Sequence, residues 1–366
     1  MTRADPITYP PPFGFVDVEA ASRIGGALAR RRPMPASYRP GALEAQLTEL
    51  SILASERVAA ETGLVPPTPP TARVVDRAEW VVANVASVER LVGPAAAALA
   101  AKRRLRPPAL VDRWSRTSSA AQLAGILAWM SGRVLGQYDL LVGEEASADE
   151  DVISYVGPNI VALEQRHGFD TGQFRLWLAL HESAHRAQFT GAPWVRTYFL
   201  GLVTEVVGAM AIDVPTVVSG ALRSLREVSE GTNPLTELGA AGLFVSEDQR
   251  QALRRLTALM SVLEGHGEVV MDVAAQDLVP AAGTFHAVLR DRRAAPGTIS
   301  KMLGQLLGLD AKMRQYADGE RFVRAVREVG GPGLVAELFV GPEAMPTMEE
   351  LLEPKQWLAR SAPALG

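Results

Sequence analysis

The chain carries only five histidines, at positions 167, 181, 185, 266 and 286, and two of them stand four residues apart in His181-Glu182-Ser183-Ala184-His185. On a helix, side chains at i and i+4 lie on one face a turn apart, so both imidazoles can reach one divalent ion. Glu182 is rotated about 100° from His181 around the same helix. Its carboxylate therefore lies beside such an ion, where it can take a proton from water. The chain has no cysteine, which excludes disulfides, iron–sulfur clusters and thiolate zinc knuckles. A metal here must be held by His, Asp or Glu, and the expectation is one Zn²⁺ per chain. Manganese or iron would suit the same donors.

Two histidines leave a third protein ligand to be found and a fourth position for water. The segment Leu263-Glu-Gly-His-Gly-Glu-Val-Val-Met-Asp272 concentrates the candidates Glu264, His266, Glu268 and Asp272. It follows a run of helical periodicity from Gln251 to Val262. Leu256, Met260, Glu264, Gly267 and Met271 recur at steps of four and three, which puts Glu264 on the buried stripe. Glu268 continues from Thr257 and Ser261, nearer the polar side. There it could hold a ligand histidine by its far nitrogen, as Asp272 could if Glu268 were the ligand. His266 is about 200° from Glu264 around the axis, so both face one metal only if the helix unwinds. Gly265 and Gly267 weaken a helix, yet they let its backbone approach another closely, as two helices sharing a metal require. His167 reads as an exposed loop residue and His286 as a satisfied interior or edge residue. Tyr316 could donate to an oxyanion, against the competing reading of a packed surface tyrosine.

These residues need a helix to carry them. The expected one begins at Asp170, a good N-cap, with Phe169 before it as a hydrophobic staple. Phe174, Trp177, Leu178, His181 and His185 share one stripe, so the histidines face the interior. Upstream, Gln137–Val142 and Val152–Val156 read as strands around an acidic loop containing Glu144, Glu145, Asp149, Glu150 and Asp151. Residues 1–16 read as a Pro-rich extended arm. Helices are expected over Asp17–Arg31, Ala42–Thr62, Arg77 to about Arg104, and Ser118–Leu135, with Val65–Thr71 a stiff polyproline connector. The expectation is a mainly α protein with a small two- or three-stranded β-sheet before the motif helix. It divides into an N-terminal helical region, 1–135, and a metal-binding region, 136–366, packed as one unit.

Composition narrows the function. Apolar residues make up 48% and charged residues 21% of the 366, the balance of a globular chain rather than of a disordered or fibrous one. The net charge of −4 gives no electrostatic case for nucleic acid. No uncharged stretch makes a comfortable membrane span, and no signal segment opens the sequence, so a cytoplasmic location is expected.

The joint pattern His181-Glu-Ser-Ala-His-Arg-Ala-Gln-Phe189, Glu264-Gly-His266, Gln315-Tyr316, Gly319, Phe322 and Pro354-Lys-Gln-Trp357 resembles the zincin-like metallopeptidase type 2 family. Leu135-Gly-Gln-Tyr-Asp139 and Pro158-Asn159 extend the likeness to nearly the whole chain. Members of that family are labelled as candidate hydrolases or as associated with biosynthesis of a deazaflavin coenzyme. The resemblance implies a mostly helical zincin-type fold, with His181, His185 and a downstream Glu as ligands, and it too points to the Glu before the first glycine. Together the readings give a zinc-dependent hydrolase acting on a peptide or small amide-containing substrate, with Glu182 as base. The alternative is a zincin-fold protein without turnover that binds a partner or ligand through the metal cleft. An intact Glu182 favours catalysis; a site closed by four protein ligands would favour binding.

Overall fold

The computed structural model describes residues 16–102, 109–138, 151–208, 247–294 and 309–361, apart from the side chains at some helix ends. Among these residues are twelve α-helices: α1 Val18–Arg30, α2 Pro40–Thr62, α3 Arg77–Lys102, α4 Ala109–Met130, α5 Gly157–His167, α6 Thr171–Thr190, α7 Trp194–Gly208, α8 Glu247–Ala275, α9 Ala282–Ala294, α10 Leu309–Ala336, α11 Met348–Leu352 and α12 Pro354–Ser361. Three short strands, β1 Thr71–Val75, β2 Gly136–Tyr138 and β3 Val152–Val156, form one sheet in the order β1-β3-β2. The protein is mainly α with a small three-stranded sheet. The N-terminal arm, the acidic loop up to Glu150 and the expected strand tail to Val142 lie outside the described residues. No described helix is long and apolar enough to cross a membrane.

The strand β1 departs from the sequence reading, which ended the connector at Thr71 and passed straight to a helix. Thr71–Val75 pairs in parallel with Val152–Val156, so its partner lies some eighty residues away and no local signal announces it. It also joins the first 135 residues to the sheet that supports the motif helix. On its other side β3 pairs antiparallel with β2, Gly136 opposite Tyr155 and Tyr138 opposite Ile153. The Val156 N–H donates to the Leu135 carbonyl at 2.8 Å. Hydrogen-bonded positions alternate along an antiparallel pair, so the backbone groups of Gly136 and Tyr138 point away from β3, toward the outer side of β2.

The motif helix α6 runs through the centre of the main core. Asp170 caps it by accepting from the Gln173 N–H at 2.8 Å, and Phe169 packs on Phe174 with ring centroids 4.9 Å apart. These are the cap and staple that the sequence calls for. On one side lies α2, whose Leu43, Leu47, Ser51, Ala54 and Val58 form a buried seam at helical spacing. Each fully buried Leu or Val on such a seam contributes about 1.5–3 kcal/mol. On others lie α8, α9 and strands β2 and β3. A buried ion pair pins α6 further: Arg186, fully buried, donates from Nε to Asp151 Oδ1 at 2.9 Å and reaches Ser55 Oγ and the Thr68 carbonyl. A smaller core collects Ala20, Ala21 and Ala29 of α1 with Trp80, Val81 and Val85 of α3 and Leu127 of α4.

Helix α8 stays α-helical through Gly265 and Gly267. Its longest partner is α10, and the two backbones cross at glycine. A Cβ on Gly265 would lie 2.2 Å from the Gly319 carbonyl carbon, and one on Gly319 would lie 1.9 Å from the Ser261 carbonyl oxygen. No side chain fits in that space. The crossing also corrects the sequence reading of Ser261 as near the polar side. It is 1% exposed, because α10 covers the flank of α8 that the heptad-like spacing left to solvent.

Candidate metal centre

Helices α6 and α8 bring three of the candidate ligands together. One ligand atom from each of His181, His185 and Glu264 lies within 4.8 Å of the others. The two Nε2 atoms are 3.2 Å apart, with ring planes at 88°. Two nitrogens on one tetrahedral ion at ~2.0–2.1 Å stand about 3.4 Å apart. The observed separation is close to the edge of a zinc-sized coordination tetrahedron, and the His, His, carboxylate donor set is one that zinc takes. Among the described residues no other trio of His, Asp or Glu converges in this way. Gly267 packs beside His185, where a Cβ would lie in ordinary contact with the imidazole at 3.4 Å.

Glu182 sits behind this group, 5% exposed. Burial raises its carboxyl pKa, His185 lowers it, Glu264 raises it and a hydrogen bond from the Tyr138 N–H lowers it, with a net rise to about 7. That donor is one of the outward backbone groups of β2. The strand meets Glu182 again at Gly136, where a Cβ would lie 2.5 Å from Oε1 and 2.7 Å from the carboxyl carbon. Any side chain at position 136 would take the space of the carboxylate. The strand is itself held from behind, since Gln137 accepts from Trp80 Nε1 at 2.8 Å and donates to Asn84 Oδ1 at 3.1 Å. Asn159 ties down the preceding turn through the Ser131 and Val134 carbonyls.

The remaining candidates are placed elsewhere. His266 is 1% exposed, packs its ring against Phe339 and accepts at Nδ1 from Gln188 Nε2 at 2.9 Å. Burial first, then the neighbouring His185 and Arg327, push its pKa down to about 3. It stands outside the trio because α8 does not unwind. Glu268 and Asp272 continue along α8 to His286, with Glu268 Oε2 3.5 Å from Nδ1 and Asp272 Oδ1 2.8 Å from Nε2. His167 ends α5, exposed and stacked on Phe169. Tyr316 lies on α10, but its side chain is outside the described residues.

Two participants escaped the sequence reading. Gly136, just before the strand expected from Gln137, and Gln188, three residues past His185 on the motif helix, entered the family likeness with no role of their own. Gln188 is fully buried. Its Oε1 is 3.1 Å from His185 Nδ1, and its Nε2 donates to the Leu263 carbonyl at 2.7 Å. The spacing His185-x-x-Gln188 puts both on one helix face, a signal that sequence could have offered.

Over residues 16–358 the chain matches the family model for a zincin-like metallopeptidase. No curated protein matches it. Among solved structures it is similar to a protein from Chloroflexus aurantiacus described as a candidate hydrolase with a novel fold. The two share 28% identity over 94% of this chain and 98% of that one, with a TM-score of 0.67.

Proposed function

Because the chain belongs to the zincin-like metallopeptidase family, we propose that it is a zinc-dependent hydrolase of peptides or other small amide-containing substrates. The observation that carries this reading is the convergence of His181, His185 and Glu264 beside a buried carboxyl, Glu182, with a pKa of about 7. Zinc held by the three ligands would supply Lewis acidity toward a substrate carbonyl and toward water. Glu182 takes the proton from the attacking water and passes it to the leaving amine. A pKa near neutrality suits both halves of that transfer. The N–H of Tyr138 holds the carboxyl in place, and the bare Gly136 leaves it room. Three protein donors leave one position of a four-coordinate zinc for water, the arrangement that turnover needs.

The test is Glu182→Gln, which keeps shape and removes the base. On a peptide that the wild-type protein cleaves, the variant is expected to retain its zinc and lose at least ~100-fold in rate. Equal rates with zinc bound in both would reject Glu182 as the base.

A further inference from the structure

Gln188 lies between the two histidines nearest its end of α6 and α8, and its amide orientation is fixed by one group that allows no choice. The Leu263 carbonyl can only accept a hydrogen bond, so the Gln188 atom 2.7 Å from it is the NH₂ nitrogen. The amide oxygen is then the atom 3.1 Å from His185 Nδ1. An amide oxygen can only accept, so that ring nitrogen carries the proton. His185 is left with a bare lone pair on Nε2, the atom that faces His181 Nε2 at 3.2 Å. The second Gln188 N–H points to His266 Nδ1 at 2.9 Å, which makes that nitrogen the acceptor and puts the proton of His266 on Nε2. One buried amide thus sets the tautomers of two histidines. It does so from a carbonyl adjacent to Glu264, so α6 and α8 are locked in the register that brings the three ligands together.

We infer that Gln188 is a positioning residue that commits His185 to its metal-binding tautomer before any ion arrives. The inference rests on the metal site proposed above. It has a consequence for the metal-free protein: the single proton that can lie between the two Nε2 atoms comes from His181. His181 must therefore shift its proton to Nδ1 when an ion enters, whereas His185 needs no change. An outer partner that orients a ligand histidine is worth ~10–100-fold in metal affinity.

The experiment has two arms on the full-length chain. In the metal-free wild-type protein, ¹⁵N-histidine NMR is expected to show His185 protonated on Nδ1 and His266 on Nε2. A His185 protonated on Nε2 would overturn the inference, and this arm requires no zinc binding at all. In the second arm zinc is titrated into Gln188→Met, which keeps length and loses the acceptor, and into Gln188→Glu, which keeps an oxygen facing His185. Gln188→Met is expected to bind ~10–100-fold more weakly, and Gln188→Glu to recover to within about threefold of wild type. Both lose the bond to Leu263, so both melt lower. Lower melting with unchanged zinc affinity in Gln188→Met would reduce Gln188 to a structural role and reject the proposal. Should Gln188→Met not fold, the wild-type tautomer alone decides. A wild-type protein that binds no zinc would instead count against the hydrolase reading, while the tautomer would still judge Gln188.

Discussion

Two histidine–carboxylate clusters lie along α8, and they differ in what they leave for a guest. In the outer one, His286 meets Asp272 on Nε2 and Glu268 on Nδ1, while Arg324 bridges Asp272 and Glu320. Positive and negative groups alternate, and donors face acceptors. The Asp272 hydrogen bond raises the His286 pKa against the effect of burial. Burial pushes the Asp272 carboxyl up, but the hydrogen bonds from His286 and Arg324 outweigh it and hold the pKa below its ordinary value. In the inner cluster, His181, His185 and Glu264 turn ligand atoms toward a common point, and Gln188 occupies the far nitrogen of His185. The outer set completes itself with protein charges. The inner set gathers atoms that can each bind a cation, which would stabilise the arrangement. The same residue types on one helix, two turns apart, thus make an ion-pair network in one place and a candidate metal centre in the other.

Substitutions stepping along α8 would break or sharpen this contrast. Glu264→Gln removes a proposed ligand and should weaken zinc binding by more than ~100-fold, beyond the effect of an outer partner. Glu268, the acid of the outer cluster one turn from Glu264, is proposed to act from outside the ligand set, and Glu268→Gln should cost ~10–100-fold. Asp272→Asn should leave zinc affinity within about twofold of wild type, since its partners are His286 and Arg324 and no ligand. A Glu264→Gln protein that holds zinc like wild type, beside a Glu268→Gln protein that does not, would move the centre one turn along the helix.

Asp272→Asn should instead show itself in pH dependence. His286 has a raised folded pKa, so its contribution to stability is present below the unfolded value of 6.5 and is lost as pH rises through the folded pKa. Asp272 has a lowered folded pKa, so its contribution is present above 3.8 and is lost as pH falls through the folded value. Urea titrations across pH 3–9 should find both limbs flattened in Asp272→Asn, and NMR should find a lower His286 pKa. An unchanged His286 pKa would show that Asp272 does not set it.

Much of the inner cluster was legible in the sequence because its logic is helical. The spacing of His181 and His185 and the Asp170 cap with its Phe169 staple follow from one period, while the stripe expected to bury Glu264 is only half-buried at Leu256, Met260 and Glu264. The glycines of α8 were legible as a close approach, and Gly319 on α10 supplies the other half. What stayed hidden depended on distant partners. Nothing in Thr71–Val75 says that it will pair with Val152–Val156, and Ser261 looked polar until α10 covered it. Gln188 reads as one more polar helix residue until Leu263 and His266 are seen across from it. The expected division at residue 135 is one that the structure bridges, since β1 crosses it to reach β3.

The central claim is that the inner cluster is a zinc site built from two histidines and one carboxylate. X-ray absorption at the zinc edge, on the full-length protein loaded with one equivalent, tests it most directly. One tight zinc per chain is expected, with two imidazole nitrogens at ~2.0–2.1 Å and oxygen ligands at ~2.0–2.2 Å completing a four-coordinate shell. A shell of oxygens without the imidazole signature, or a spectrum unchanged between wild type and Glu264→Gln, would contradict it.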